Sequence, residues 1–105
     1  MTFPIAIGDG LGTVTTYHGC SPVTTTDKCS GTVFIEGTGV VRSGDTNTPH
    51  TVSPPVCPTH TVALSTYSST IFVEGKEVGR KGDKYGAEEI TAAGQTTVFA
   101  GLEGG

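Results

Sequence analysis

Gly31-Thr-Val-Phe-Ile-Glu-Gly-Thr-Gly-Val-Val-Arg-Ser-Gly-Asp45 returns almost intact as Ser69-Thr-Ile-Phe-Val-Glu-Gly-Lys-Glu-Val-Gly-Arg-Lys-Gly-Asp83. Phe34/Phe72, Glu36/Glu74, Gly37/Gly75, Arg42/Arg80 and Asp45/Asp83 all match at one offset of 38. An internal repeat fixes architecture before any local reading does. The head of each unit is rich in β-branched and aromatic residues and reads as a strand. Gly37 or Gly75 then allows a tight turn, because glycine takes positive φ without steric cost. A second short strand, Val40–Arg42 or Val78–Arg80, is expected to run back and to leave through a Gly-Asp turn. Each unit is thus a hairpin with a sharp exit. A lone hairpin is marginal in water, so the units must pack on one another.

Half-copies flank the pair. Ala6-Ile-Gly-Asp9 resembles the tail of a unit, and Thr96-Thr-Val-Phe-Ala-Gly101 resembles its head. The first and last strands are therefore expected to complete hairpins begun elsewhere in the chain, giving three quasi-equivalent hairpins about a pseudo-threefold axis. The expected fold is all-β, built of short β-hairpins. Residues 1–101 would form a single domain and residues 102–105 a C-terminal tail.

With 105 residues, 34% of them hydrophobic and no Trp, the chain is short of material for a large core. Such chains often depend on a metal, a cross-link or a partner. The net charge of −4, with six Lys and Arg, argues against nucleic-acid binding, which needs a basic surface. No apolar run approaches membrane-spanning length. The N-terminus lacks the basic region and the long apolar core of a signal peptide. Synthesis in the cytosol, with any export by other machinery, is the expectation.

The chemistry-bearing residues are confined to two stretches expected to be loops. Residues 10–30 hold His18, Cys20 and Cys29; residues 46–66 hold His50, Cys57 and His60. The third stretch, 84–94, has neither His nor Cys. Because all hairpins leave toward these stretches, His18, His50 and His60 with at least one Cys can meet at one end. Imidazole and thiolate favour four-coordinate zinc, and Cys57-x-x-His60 lets both side chains reach one ion. Ordinary surface residues, or a disulfide such as Cys20–Cys29, are the alternatives, the latter disfavoured by the odd cysteine count. No constellation meets the geometric requirements of an active site, and the recurrence of Arg42/Arg80 with the Gly-Asp turns points to structural pairing.

Three features together carry a resemblance: Gly-Asp followed by His18-Gly-Cys20, hairpins of the form Thr-Val-Phe-Ile-Glu-Gly…Arg-x-Gly-Asp, and a middle stretch with His…Cys-Pro…His. Over essentially its whole length the chain resembles the PAAR-repeat proteins, which tip the central spike of contractile phage tails and type VI secretion systems. The resemblance implies a small cone of short β-hairpins with pseudo-threefold repeats and a metal-bound apex, a monomer seated on a trimeric β-helical spike: a valine-glycine repeat protein in a secretion system, a tail spike or baseplate hub in a phage. It implies a membrane-piercing structural role and transient contact with a target-cell outer membrane. It places the protein at a virion tail tip or among the secreted parts of an injection apparatus, with no catalytic step. It also implies zinc, or alternatively iron, held by His18, His50 and His60. The family's cysteine in the third loop is absent here, so Cys57 is the first choice for the fourth ligand, Cys20 the second and water the third. The reading from another class is a small zinc-stabilised adaptor that carries an effector or binds a surface ligand.

Overall fold

The structure, a computed structural model, describes residues 2–101. It contains twelve short strands: β1 (Thr2–Pro4), β2 (Thr13–Thr15), β3 (Val23–Thr25), β4 (Phe34–Ile35), β5 (Thr38–Gly39), β6 (His50–Thr51), β7 (Thr59–His60), β8 (Phe72–Val73), β9 (Lys76–Glu77), β10 (Lys84–Tyr85), β11 (Glu88–Ala92) and β12 (Phe99–Gly101). No helix occurs among the described residues, and the fold is all-β. Residues 102–105, assigned above to a tail, lie outside the described residues.

Turn chemistry sets the hairpins. Glu36 and Gly37 have φ of 53° and 84°, and Glu74 and Gly75 have 56° and 78°. Two successive positive φ values define a type I′ turn, whose twist suits a two-residue connection. These turns join β4 to β5 and β8 to β9. The third hairpin has no turn at all, because β1 and β12 come from opposite ends of the chain. Phe3 lies opposite Ala100 and Pro4 opposite Phe99, as Phe34 lies opposite Gly39 and Phe72 opposite Glu77.

The three hairpins are equivalent in detail. At the head of each, one side chain caps the backbone two and three residues on. Ser30 Oγ accepts from the amides of Thr32 and Val33, Ser68 Oγ from Thr70 and Ile71, and Gln95 Oε1 from Thr97 and Val98. The units then join around an axis. Ala6 N–H donates to Gly79 C=O at 2.9 Å, Gly79 N–H to Val41 C=O at 2.8 Å, and Val41 N–H to Ala6 C=O at 3.0 Å. This is a closed ring of hydrogen bonds. The bridges Ile7–Val40, Arg42–Val78 and Arg80–Ile5 repeat the same cyclic order. At Gly79, where its counterparts are Ala6 and Val41, a Cβ would stand 2.8 Å from Leu64 Cδ2, so the Leu64 side chain packs into the space that the glycine leaves.

Two apolar clusters flank the ring. Ile5, Val40 and Val78 meet Ile35, Val73 and Ala100 on the hairpin side. Ala6 and Val41 meet Val14, Leu64, Tyr85 and Ile90 on the other. The repeated Arg and Asp close the exit turns. Arg42 grips Asp45 through Nε (2.9 Å) and Nη2 (3.0 Å), and Arg80 grips Asp83 in the same fork at 2.9 and 3.1 Å. Both carboxylates are buried, and the paired geometry offsets their desolvation.

Several local expectations need correction. The returning strands begin two residues early, at Thr38 and Lys76, because a two-residue turn leaves no slack. Val40, Arg42, Val78 and Arg80 instead bridge to neighbouring units. The stretches 10–30, 46–66 and 84–94 are not plain loops, since they contain β2 and β3, β6 and β7, and β10 and β11 respectively. In β2 the alternation Thr13-Val-Thr15 buries Val14 alone, as suits a strand buried on one face. β10, β11, β2 and β3 form one sheet in that order.

Candidate metal centre

Each of these three stretches delivers part of one site. β2 ends at Thr15, and buried Thr16 holds the turn that follows by donating to Ser21 C=O and accepting from His18 N–H. Tyr17 takes a positive φ of 64°, bending the chain just before His18. His50 and His60 face each other as ladder partners in the β6–β7 pair, so both lie in strands, contrary to the expectation that no histidine would. Glu88 opens β11, where strand alternation buries it to 2% exposure while its neighbour Glu89 pairs with Thr15.

The four side chains converge on a point. One donor atom from each of His18, His50, His60 and Glu88 lies within 4.8 Å of all the others. Glu88 Oε2 is 2.5 Å from His18 Nε2, 2.9 Å from His50 Nε2 and 2.9 Å from His60 Nε2. The His60 Nε2 atom is also 2.8 Å from that of His50 and 3.2 Å from that of His18. Hydrogen bonding alone serves this cluster poorly. One carboxylate oxygen cannot receive three N–H groups in good geometry, and each nitrogen–nitrogen contact needs a donor facing a lone pair. Ligands on a tetrahedral zinc with 2.0–2.1 Å bonds stand about 3.3 Å apart, so small outward movements suffice to admit an ion. The group could hold a metal.

The surroundings prepare it. His50 Nδ1 lies 2.8 Å from Thr48 C=O, and a proton there leaves the Nε2 lone pair free to ligate. Asn47 Nδ2 donates to Glu88 Oε1 at 2.7 Å, fixing the carboxylate. Asn47 is itself wholly buried, its Oδ1 accepting from Val62 N–H at 2.9 Å and from Thr61 Oγ1 at 3.2 Å. Burial would raise the Glu88 pKa, but hydrogen bonds from His50, Asn47, His18 and His60 outweigh it and hold the carboxyl below its ordinary value. His50 and Glu88 side chains are 3% exposed, whereas His60 keeps 34%. The site therefore sits just under the surface.

The cysteines take another role. Cys20 and Cys57 form a disulfide with Cα atoms 5.9 Å apart, across 37 residues of sequence. Neither can then be the fourth ligand, because a disulfide sulfur has no thiolate to offer. The alternative Cys20–Cys29 pairing is also replaced, and Cys29 stays a free thiol whose pKa burial, then Asp9 and Asp45, push up. Sequence reasoning missed Glu88 and Asn47. The stretch 84–94 has neither His nor Cys, and nothing local in Glu88-Glu89 marks the first as the inward-facing carboxylate. No protein-family model matches the chain, and no curated protein shows significant sequence similarity to it.

Proposed function

We propose that the protein is a non-catalytic, zinc-stapled tip that caps the trimeric β-helical spike of a contractile injection system. The observation that carries this reading is the closed pseudo-threefold ring. One chain presents three equivalent hairpins, and on them Phe34, Phe72 and Phe99 stand exposed at matching positions (55%, 55% and 49%). A threefold apolar set on a single chain is the complement of a true trimer's end face, and burying it would remove three aromatic rings from water. The hairpin motifs that resemble PAAR repeats support the same reading.

The opposite end suits passage through a bilayer. Residues 10–26 and 46–66 contain no Asp, Glu, Lys or Arg, and 84–94 adds exposed Lys84 and half-buried Glu89 beside buried Glu88, so little charge must be desolvated there. Zinc fits the His3Glu donors, and four protein ligands make a closed structural site with no open position for substrate or activated water. A structural zinc contributes on the order of 10 kcal/mol to folding, which offsets the small core. The test is native mass spectrometry with the trimeric β-helical spike protein of the same genome. One chain per three spike chains is expected, and Phe34→Ser/Phe72→Ser should abolish the complex. Three chains per trimer, or a complex indifferent to those changes, contradicts the proposal.

A further inference from the structure

The Cys20–Cys57 disulfide and the four-residue cluster close the same loop. His18 is two residues from Cys20, and His60 is three residues from Cys57. Apart from the disulfide, the 17–21 and 50–57 segments are joined near the site by few bonds. Cys20 N–H donates to Val52 C=O at 3.1 Å, and Ser21 Oγ meets Thr51 Oγ1 at 2.5 Å and Thr51 N–H at 3.3 Å. The segments are also pressed together, since a Cβ on Gly19 would stand 3.1 Å from Pro54 Cδ. Farther back, Thr24 Oγ1 donates to Thr48 C=O at 3.0 Å, Thr48 N–H donates to Thr25 C=O at 2.9 Å and Thr26 bridges Asn47, so hydrogen bonds align the two arms and the disulfide is the covalent tie beside the cluster.

We propose that the Cys20–Cys57 disulfide sets the metal affinity of the His18/His50/His60/Glu88 group, making metal retention redox-dependent. This inference rests on the metal reading above. Each cross-link removes conformational freedom that the other would otherwise have to remove, so the two are positively coupled. Reduction follows ordinary exchange. A thiolate attacks one sulfur and the S–S bond breaks to a mixed disulfide. A second thiol then releases two cysteine thiols and the oxidised thiol pair, with two electrons and two protons going to Cys20 and Cys57. The His18 segment is then held by hydrogen bonds alone, and the ligand set loosens. In a thiol-rich compartment the site exchanges metal readily; in an oxidising one it is locked.

Linkage makes the effect reciprocal: whatever factor the disulfide adds to metal affinity, the metal adds to the disulfide's resistance to reduction. The test compares zinc affinity of the oxidised protein with that of Cys20→Ser/Cys57→Ser, by competition with a chromophoric chelator. It also measures the glutathione ratio at half-reduction of the wild type with and without zinc. The serine variant should bind about tenfold or more weakly, as losing an orienting partner does elsewhere. Zinc should shift the half-reduction ratio by the same factor. Equal affinity within twofold, or a ratio unmoved by zinc, overturns the coupling while leaving the metal site standing. If the serine variant does not fold, the glutathione titration of the wild type decides alone. No zinc binding by the oxidised protein overturns both the coupling and the metal reading.

Discussion

Replacing Asn47 with Ala separates the support of the site from the site itself. The Asn47 side chain makes three hydrogen bonds: a buried one to Glu88 Oε1 at 2.7 Å, and partly buried ones from Val62 N–H at 2.9 Å and from Thr61 Oγ1 at 3.2 Å. The first involves a charged acceptor and is worth about 1.5–3 kcal/mol. Losing the second strands a backbone amide at a cost of about 1–3 kcal/mol. Thr61 keeps its bond to Asn47 C=O and should cost little. The metal-free variant should therefore unfold about 3–5 kcal/mol more easily than metal-free wild type in urea. With Glu88 unanchored, zinc affinity should also fall about 10–100-fold. Chelator-treated proteins melted in urea give the first number, and competitive zinc titration the second. Metal-free stability within 1 kcal/mol of wild type would refute the burial argument. Unchanged zinc affinity would refute the role of Asn47 in holding Glu88.

Tyr85→Phe should stabilise the protein by about 1 kcal/mol, because the wholly buried Tyr85 hydroxyl has no hydrogen-bond partner among the described residues; destabilisation in urea would mean that it has one. Gly37→Ala should cost about 1–2 kcal/mol through backbone strain alone, since φ is 84° and no atom lies within 4 Å of the added Cβ; an unchanged melting temperature would exclude the type I′ turn. In metal-free protein the depressed Glu88 pKa contributes stability above the ordinary carboxylate value of about 4.3, and that stability is lost as pH falls through the lower folded value. Glu88→Gln should flatten this acid limb, and an acid titration of stability identical to wild type would contradict the assignment.

The repeat made the hairpins and their threefold arrangement legible, because Glu-Gly turns, β-branched heads and Arg-x-Gly-Asp exits each act over a few residues. The half-copies at the two ends point to a third hairpin, but that β1 pairs with β12 is seen only in the structure. What the sequence hid was long-range. The Thr-rich stretches look like loops because their strands are two to five residues long and gain order only by pairing with partners far away, as β2 does with β11. Three histidines could be expected to meet from their confinement to two stretches. Glu88 could not be distinguished from Glu89 without knowing which faces inward. Cys57 illustrates the opposite error: its spacing from His60 suits a shared ion, yet in space its sulfur faces Cys20.

Zinc content of the purified protein, measured by inductively coupled plasma mass spectrometry without added metal, tests the central claim most directly. The account predicts close to one zinc per wild-type chain and almost none for Glu88→Ala. Wild-type protein that is folded and carries no metal, or Glu88→Ala retaining a full equivalent, would contradict it.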